Sequence, residues 1–431
     1  MRKEKGRGPG VREKLSRFFR GIYELHIFRR LIRRNEKIME SEGIEKNKCS
    51  KISACFGMCG TVCAFVLVVF TLLALLIGRN TVTVDNIYYL FKDVYSMNTV
   101  GESEITRLSY SLPASKQDFT LYKKGLAVAG DSEIKLFNST GRVTLTLGSE
   151  FANPRILSSD RFVLVYDMGG DTFSVYNSFK QLYTETLDYN ISTAATARNG
   201  RFAIVSGGQN YRSVISVYDS DFEKIADYSK NDYVISVSFD SSGRYIAVLS
   251  LDSENGGYVS RLSVFDTEKS EIRAQTSVDG VLAYECVYSD GDRIFVPCAD
   301  RVLIFDGRCS QRGEFLYPGG SLSFVSVSDG GVALLFEDDP VNSQNTLYVI
   351  DKNGGEIFSH DCTGDFYDME YYDRYVYLLE ADAASRIDVR DGGIYFSECD
   401  GALGCILVSN QDKIMICTSS NASVIDSWAR R

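Results

Sequence analysis

Residues 234–275 read VISVSFDSSGRYIAVLSLDSENGGYVSRLSVFDTEKSEIRAQ, and the fold follows from how this stretch is punctuated. Val234-Ile-Ser-Val-Ser-Phe239 alternates apolar and polar residues, and the turn Asp240-Ser-Ser-Gly243 leads into Arg244-Tyr-Ile-Ala-Val-Leu249. After a longer loop come Arg261-Leu-Ser-Val-Phe265, the turn Asp266-Thr-Glu-Lys269 and Glu271-Ile-Arg-Ala-Gln275. Period-two alternation between Gly/Asp/Ser turns is the pattern of antiparallel strands in hairpin order, here four of them.

Working outward, the phrase recurs. An apolar strand ending in an aromatic or aliphatic residue, with Asn or Asp beside it, is anchored at Phe137, Tyr176, Tyr218, Phe265, Phe305, Ile350, Val389 and Ile425. The mean spacing is about 41 residues. A second register keeps step with it: strands that follow a turn and start with a small or basic residue, at Gly125, Arg161, Arg201, Arg244, Arg293, Gly331, Arg374 and Lys413. Short strands with a period of about 40–45 residues predict a β-propeller with one four-stranded blade per repeat. The expected fold is all-β and eight-bladed, or seven-bladed if one repeat is an irregular insertion. With 6 Pro in 431 residues, few strands are interrupted.

Phe239-Asp-Ser-Ser-Gly-Arg-Tyr-Ile-Ala-Val248 resembles the strand–turn–strand signature of WD-like repeats in TolB-type propellers, and Thr196-Ala-Arg-Asn-Gly-Arg-Phe-Ala-Ile204 is a weaker copy. The resemblance covers residues 105–428 and implies a fold, not an activity. The layout of basic tail, membrane helix and propeller also resembles an uncharacterised Gram-positive, clostridial-type family of membrane-anchored propellers. The Gly-His and Trp-Asp dipeptides of true WD repeats are missing. Trp428 is the single tryptophan, so the repeated tryptophan motif of quinone-dehydrogenase propellers is missing too.

The eighth repeat supplies three strands, Gly404–Ser409, Lys413–Cys417 and Ala422–Ile425. Ile105-Thr-Arg-Leu-Ser-Tyr-Ser-Leu112 alternates and precedes the first repeat, so it is expected to complete that blade and remove the exposed sheet edges.

Four segments are expected: a basic cytoplasmic tail over 1–51, a transmembrane helix over 52–78, an extracytoplasmic stalk over 79–104 with a short helix over 84–96, and the propeller over 105–431. Ile52 to Gly78 are 27 uncharged residues, enough at about 1.5 Å each for a tilted crossing of a ~30 Å hydrocarbon core. Residues 1–51 hold 16 Lys+Arg and 7 Asp+Glu, a net of +9, while the remainder holds 31 basic and 50 acidic residues, a net of −19. Basic flanks stay cytoplasmic, which predicts a single-pass cell-membrane protein with an exported propeller. Arg12, Lys14, Arg17 and Arg20 interleave with Val11, Leu15, Phe18, Phe19 and Ile22 at helical spacing, and Arg29, Arg30, Arg33 and Arg34 follow. This is a basic amphipathic surface for anionic lipid, with no motif for nucleic acid. Cys55, Cys59 and Cys63 on one face of the span, and Ser53, Gly57 and Thr61 on another, allow a dimer through close helix packing.

Catalytic chemistry finds little support. Of two histidines, His26 lies in the tail and His360 on an outer strand, so no nucleophile has an obvious base. Four of the 11 cysteines lie near the membrane. The seven exported ones (Cys286, Cys298, Cys309, Cys362, Cys399, Cys405, Cys417) contain no C-x-x-C, so no metal site or disulfide framework is signalled and no cofactor is expected. Cys405 and Cys417 would face each other across the hairpin turning at 410–412. The candidate ligand-binding residues are carboxylates of the long loops: Asp167, Asp171, Asp252, Glu254, Glu337, Asp338, Asp339 and Asp382. For the tight-turn face the expectation is Arg–Asp pairing between neighbouring strands. A binding or assembly scaffold for an extracytoplasmic protein, peptide or polysaccharide is the leading expectation. A polysaccharide-acting enzyme and a transmembrane signalling component are the alternatives.

Overall fold

The computed structural model describes residues 64–69, 107–110, 117–254, 256–399 and 404–430. The chain divides into two compact units, residues 1–87 and 88–431. In the first, residues 64–69 are helical with Phe65, Val66, Leu67 and Val68 exposed. No helix among the described residues is long and apolar enough to cross a membrane. The expected span over 52–78 lies outside the described residues except for 64–69, and the basic tail and the 84–96 helix lie outside them altogether.

In the second unit the described strands form eight antiparallel sheets, one per repeat. Seven are consecutive in sequence: blade I over 117–148, II over 154–186, III over 191–230, IV over 233–279, V over 287–316, VI over 321–363 and VII over 368–398. In each, the first strand is innermost and the fourth outermost. The eighth sheet joins Cys405–Val408, Ile414–Cys417 and Asn421–Ile425 to Arg107–Ser109 from the N-terminal side of the ring. Arg107, Leu108 and Ser109 pair with Ser423, Ala422 and Asn421. The shared blade expected from residues 105–112 is therefore present, and the count is eight.

Burial shows why the ring holds. Eight apolar clusters occupy the eight interfaces between successive blades, the last joining blade VIII to blade I through Leu108, Tyr110, Met415, Cys417 and Ala422 against Leu126, Val128 and Phe137. Second strands such as Gly125–Gly130, Phe202–Ser206 and Tyr375–Leu379 are buried along their whole length, because a neighbour covers each face. That is why they read as continuous apolar runs while the outermost strands alternate.

The repeated phrase has a physical basis. The anchor closes the third strand inside the core, and the Asn or Asp beside it folds the next turn by accepting backbone N–H groups. Asn138 Oδ1 takes the amides of Thr140 and Arg142 (3.0 and 2.9 Å), Asp306 Oδ1 those of Arg308 and Ser310 (both 2.9 Å), and Asp351 Oδ1 those of Asn353 and Gly355 (both 2.8 Å). A bulge follows on the outermost strand opposite the anchor in blades I to VI. Blade VII corrects one reading. Its capping carboxylate is Asp388, which takes the Arg390 amide at 3.0 Å, so the anchor is Ile387 and Val389 lies in the turn. At the starts of second strands, Gly125 and Gly331 face the anchor carbonyls of Phe137 and Ile350, where any Cβ would collide.

One element has no counterpart in the sequence expectations. Ala429–Arg430 adds a fifth strand to the outer edge of blade VII, pairing with Tyr395 and Phe396. Trp428 holds it there. Its Nε1 donates to the Asp412 carbonyl at 2.9 Å, and its ring lies 5.0 Å from the buried Arg386 guanidinium, which also stacks on Tyr375 and Tyr395 at 4.6 and 4.9 Å. Arg386 Nη1 donates to Gln411 O and Asp412 Oδ1 (2.9 and 3.0 Å), tying blade VII to blade VIII. Trp428→Ala is expected to cost about 2 kcal/mol through lost aromatic area and cation–π contact. Urea unfolding checks this, with earlier proteolysis after residue 425 as the accompanying sign.

Candidate functional site

The polar groups of the channel wall are needed by the fold. An innermost strand has no partner on its axial edge, so its N–H groups must be satisfied from elsewhere. Side chains of the preceding blade do this. Asp118 Oδ2 accepts from Ile156 N (2.9 Å), Ser236 Oγ from Cys286 N (3.1 Å), Ser326 Oγ from Tyr371 N (2.9 Å) and Asp368 Oδ2 from Ile406 N (2.6 Å). Burial raises the carboxyls of Asp118 and Asp368 above their usual range. Glu370 is pushed up to about 7, first by burial and further by the Asp368 charge, against the Ser326 hydroxyl that donates to it at 3.2 Å. Asp368 and Glu370 are close enough for the charge of one to raise the other. However, both Asp368 oxygens are taken by backbone amides, of Met369 and Ile406. His360 sits on the outer strand of blade VI, stacked on Phe358 at 6.2 Å, far in the topology from the axis. No cluster of three or more potential metal ligands occurs among the described residues.

The eight carboxylates singled out from the long loops are spread over four blades and meet different partners. In blade II, Asp167 accepts the Ala152 and Asn153 amides (3.1 and 2.6 Å), and Asp171 accepts the Thr172 hydroxyl. In blade IV, Asp252 and Glu254 both bind Arg261, and Asp252 also receives Arg212 of blade III at 3.1 Å. Backbone N–H donation from Ser253, then Arg261, holds Asp252 below the usual carboxylate range. In blade VI, Asp338 takes the Thr346 hydroxyl (2.6 Å), and Asp339 takes Asn342 Nδ2 and the Val341 amide (2.7 and 2.9 Å). Glu337 and Asp382 lie in blades VI and VII, with Asp382 exposed. The eight therefore converge on no single point. The basic residues Arg12, Lys14, Arg17, Arg20, Arg29, Arg30, Arg33 and Arg34 lie outside the described residues.

Arg–Asp pairing on the tight-turn face is present in part. Arg244 pairs with Asp266 at 2.7 Å and Arg374 with Asp388 at 3.2 Å, whereas Arg201 instead donates to Gly243 O and Thr267 Oγ1. At the axial mouth on this face a concavity of about 730 Å3 is lined by first-to-second-strand turns: Arg198, Asp329, Tyr372, Asp373, Gln411 and Asp412. Its carboxylates are engaged, Asp373 by Gln411, Asp412 by Arg386 and Asp329 by the Asp290 amide.

The long-loop face differs in displaying aromatic surface. Tyr189, Tyr211 and Tyr284 lie in connectors or loops and Tyr233 and Tyr258 at the ends of blade IV strands, at intervals of 22, 22, 25 and 26 residues. Their exposures are 40, 46, 59, 62 and 52%, and Tyr367 in the connector before blade VII adds a sixth. Hairpins project around this arc. The middle strands of blade IV, Tyr245–Glu254 and Gly257–Asp266, run ten residues each, and Tyr258 stands beside the turn at Gly256. In blade VI, Val341 occupies the corresponding tip and is 88% exposed. Two shallow concavities lie on the same face. One of about 500 Å3 is lined by Gln209, Asn210, Tyr211, Arg212, Asn231 and Asp252, and one of about 520 Å3 by Tyr284, Ala299, Gly320, Leu322 and Val325. Arg212 lies over the Tyr233 ring at 4.9 Å and Arg261 braces the hairpin from Asp232 at 2.9 Å, so the carboxylates expected as ligands stiffen the platform. The candidate residues read from the sequence were carboxylates, and these tyrosines were not among them. Tyr189 is set between Asp188 and Asn190, and Asn210, Asp232 and Gly257 precede the next three, whereas Tyr284, between Ala283 and Glu285, carries no such signal.

No curated protein matches the chain. Among solved structures the ring is similar to BamB from Moraxella catarrhalis, with a TM-score of 0.51 and 10% identity over 75% of this chain and 98% of that one. It is also similar to Chaetomium thermophilum Sqt1 bound to the N-terminus of ribosomal protein L10, with a TM-score of 0.54 and 12% identity over 75% and 99%. At these identities the likeness is one of fold. Residues 97–426 match a family of unknown function, DUF5711, and the chain belongs to that family.

Proposed function

We propose that this protein is a membrane-anchored, extracytoplasmic propeller that binds or assembles a protein partner at the cell envelope, docking it on the long-loop face of blades III to VI. The observation that carries the reading is the arc of exposed tyrosines around the projecting hairpin of blade IV. Tyr offers large contact area with little rotamer entropy to lose, and rigid aromatic anchors among adaptable Asn, Gln and Gly positions are the composition of binding surfaces. The net charge of −19 beyond residue 51 and the carboxylate-lined loops favour a cationic segment, which tyrosine faces also attract. Solved Sqt1, a propeller of similar fold, holds the N-terminus of another protein. Anchoring and export rest on the uncharged 52–78 stretch and the +9 tail.

Site-specific photo-crosslinking in living cells tests this. A crosslinker at Tyr258 or Tyr284 is expected to capture one discrete protein, abolished by Tyr211→Ser with Tyr233→Ser elsewhere on the arc. A crosslinker at Asn353, on the tight-turn face, is expected to capture none. Equal capture from both faces, or none from either, contradicts the docking face. Resistance of the C-terminus to protease added outside intact, wall-stripped cells contradicts export.

A further inference from the structure

We propose that Cys405 and Cys417 are a redox-active cross-strand pair, closed to a disulfide by exchange with a low-molecular-weight disulfide. The two are register partners in the hairpin of Cys405–Val408 with Ile414–Cys417. Cys417 belongs to the apolar cluster between blades VIII and I, and Cys405 packs against the same cluster. The three buried thiols between blades IV and V are arranged differently. Cys286 faces the carbonyls of Ser236 and Ala247 (both 3.7 Å), Cys298 that of Val296 (3.4 Å) and Cys309 that of Leu262 (3.8 Å), and none has a cysteine as its strand partner.

The ladder fixes the separation. Ile406 N–H points away from Ile414–Cys417, to Asp368 of blade VII, so the alternating backbone turns the Cys405 N–H toward Cys417. The pair thus occupies a hydrogen-bonded site, where Cα atoms sit about 5.5 Å apart, inside the range a disulfide spans. Cβ atoms at such a site are about 5 Å apart, against about 3.8 Å in a relaxed bridge, so closing it draws the strands together and leaves a bond that is easily reduced. The two sulfurs are unequal in access, Cys405 half-buried and Cys417 buried. Burial holds the Cys417 thiol well above its usual range, so it does not attack first.

The reaction balances as two exchanges. Cys405, deprotonated, attacks one sulfur of R–S–S–R. The S–S bond breaks, a mixed disulfide forms, and R–S⁻ leaves and takes up the proton as R–SH. Cys417 Sγ then attacks Cys405 Sγ, releasing the second R–S⁻, which leaves as R–SH with the Cys417 proton. Two electrons pass from the protein thiols to the small disulfide.

The test uses the folded, wild-type full chain in mixtures of glutathione and glutathione disulfide, acid-quenched, alkylated and mapped by mass spectrometry. The expected result is a 405–417 crosslinked peptide with the loss of two alkylatable thiols, reversed by excess glutathione. Cys286, Cys298 and Cys309 stay alkylatable. Cys417→Ser is expected to stop at a glutathione adduct on Cys405, and Cys405→Ser to give no adduct on Cys417. The proposal is overturned if both thiols stay free at every ratio, if the wild type stops at the adduct, or if another pair bridges first.

Discussion

Tyr110→Ala is expected to lower the unfolding free energy by about 4 kcal/mol, in the range of burying and then deleting a large aromatic side chain. Tyr110 is 1% exposed, follows the closing strand, and packs against Phe119 and Phe137 of blade I at ring distances of 5.7 and 6.3 Å. Its hydroxyl lies 2.7 Å from both the Thr418 and the Asn421 carbonyls, and its one proton serves one of them at a time. Tyr110→Phe keeps the packing and loses that bond, for a cost of about 1 kcal/mol. Truncation to Gln117 goes further, since it also bares the edge of Asn421–Ile425 and invites edge-to-edge association. Urea unfolding of the two point variants and size-exclusion chromatography of the truncation provide the measurements. A Tyr110→Ala protein within 1 kcal/mol of wild type, or a monodisperse truncation of unchanged stability, shows that the ring does not depend on its closing strand.

Glu370→Gln is expected to make the protein more stable at pH 8 by about 3 kcal/mol while leaving it nearly unchanged at pH 4.5. The folded carboxyl titrates near 7 against an ordinary value of 4.5, and each unit of difference is worth about 1.4 kcal/mol. The sign follows from proton binding. Between those two pH values the folded state holds the proton more tightly than the unfolded chain, so its stabilising contribution is complete below 4.5 and disappears as pH rises through 7. Gln keeps an oxygen for the Ser326 hydroxyl and cannot ionise, so the difference between the two proteins isolates this one group. Urea midpoints from pH 4.5 to 8 should diverge as pH rises. Parallel curves place the Glu370 carboxylate in contact with solvent.

The architecture was legible because each repeat carries two local chemical necessities, a buried anchor and a side-chain oxygen that folds the next turn. Phe137-Asn138 and Phe305-Asp306 announce themselves in this way. The reading slipped by two residues in blade VII, where Ile387-Asp388-Val389-Arg390-Asp391 offers two apolar residues beside acids and nothing local says which carboxylate faces the turn amides. Ala429–Arg430 was invisible for a different reason. Two residues carry no periodicity, and the Trp428 stack depends on Arg386, which is 42 positions away in the chain. The candidate face was half legible. Its loops could be placed, but whether Asp252 is free or held by Arg212 and Arg261 is decided by the packing of blade III against blade IV. The elevation of Glu370 likewise depends on blade VI closing over it, which sequence spacing does not encode.

The seam at Arg107–Ser109 also determines how the molecule answers a mechanical pull. Tension applied along the axis of that strand loads its pairing with Asn421–Ser423 in shear, so the three pairs must fail together instead of unzipping singly. Tyr110, wedged beyond the last of them, acts as a stop against sliding. The same seam peeled from one end would instead open one pairing at a time.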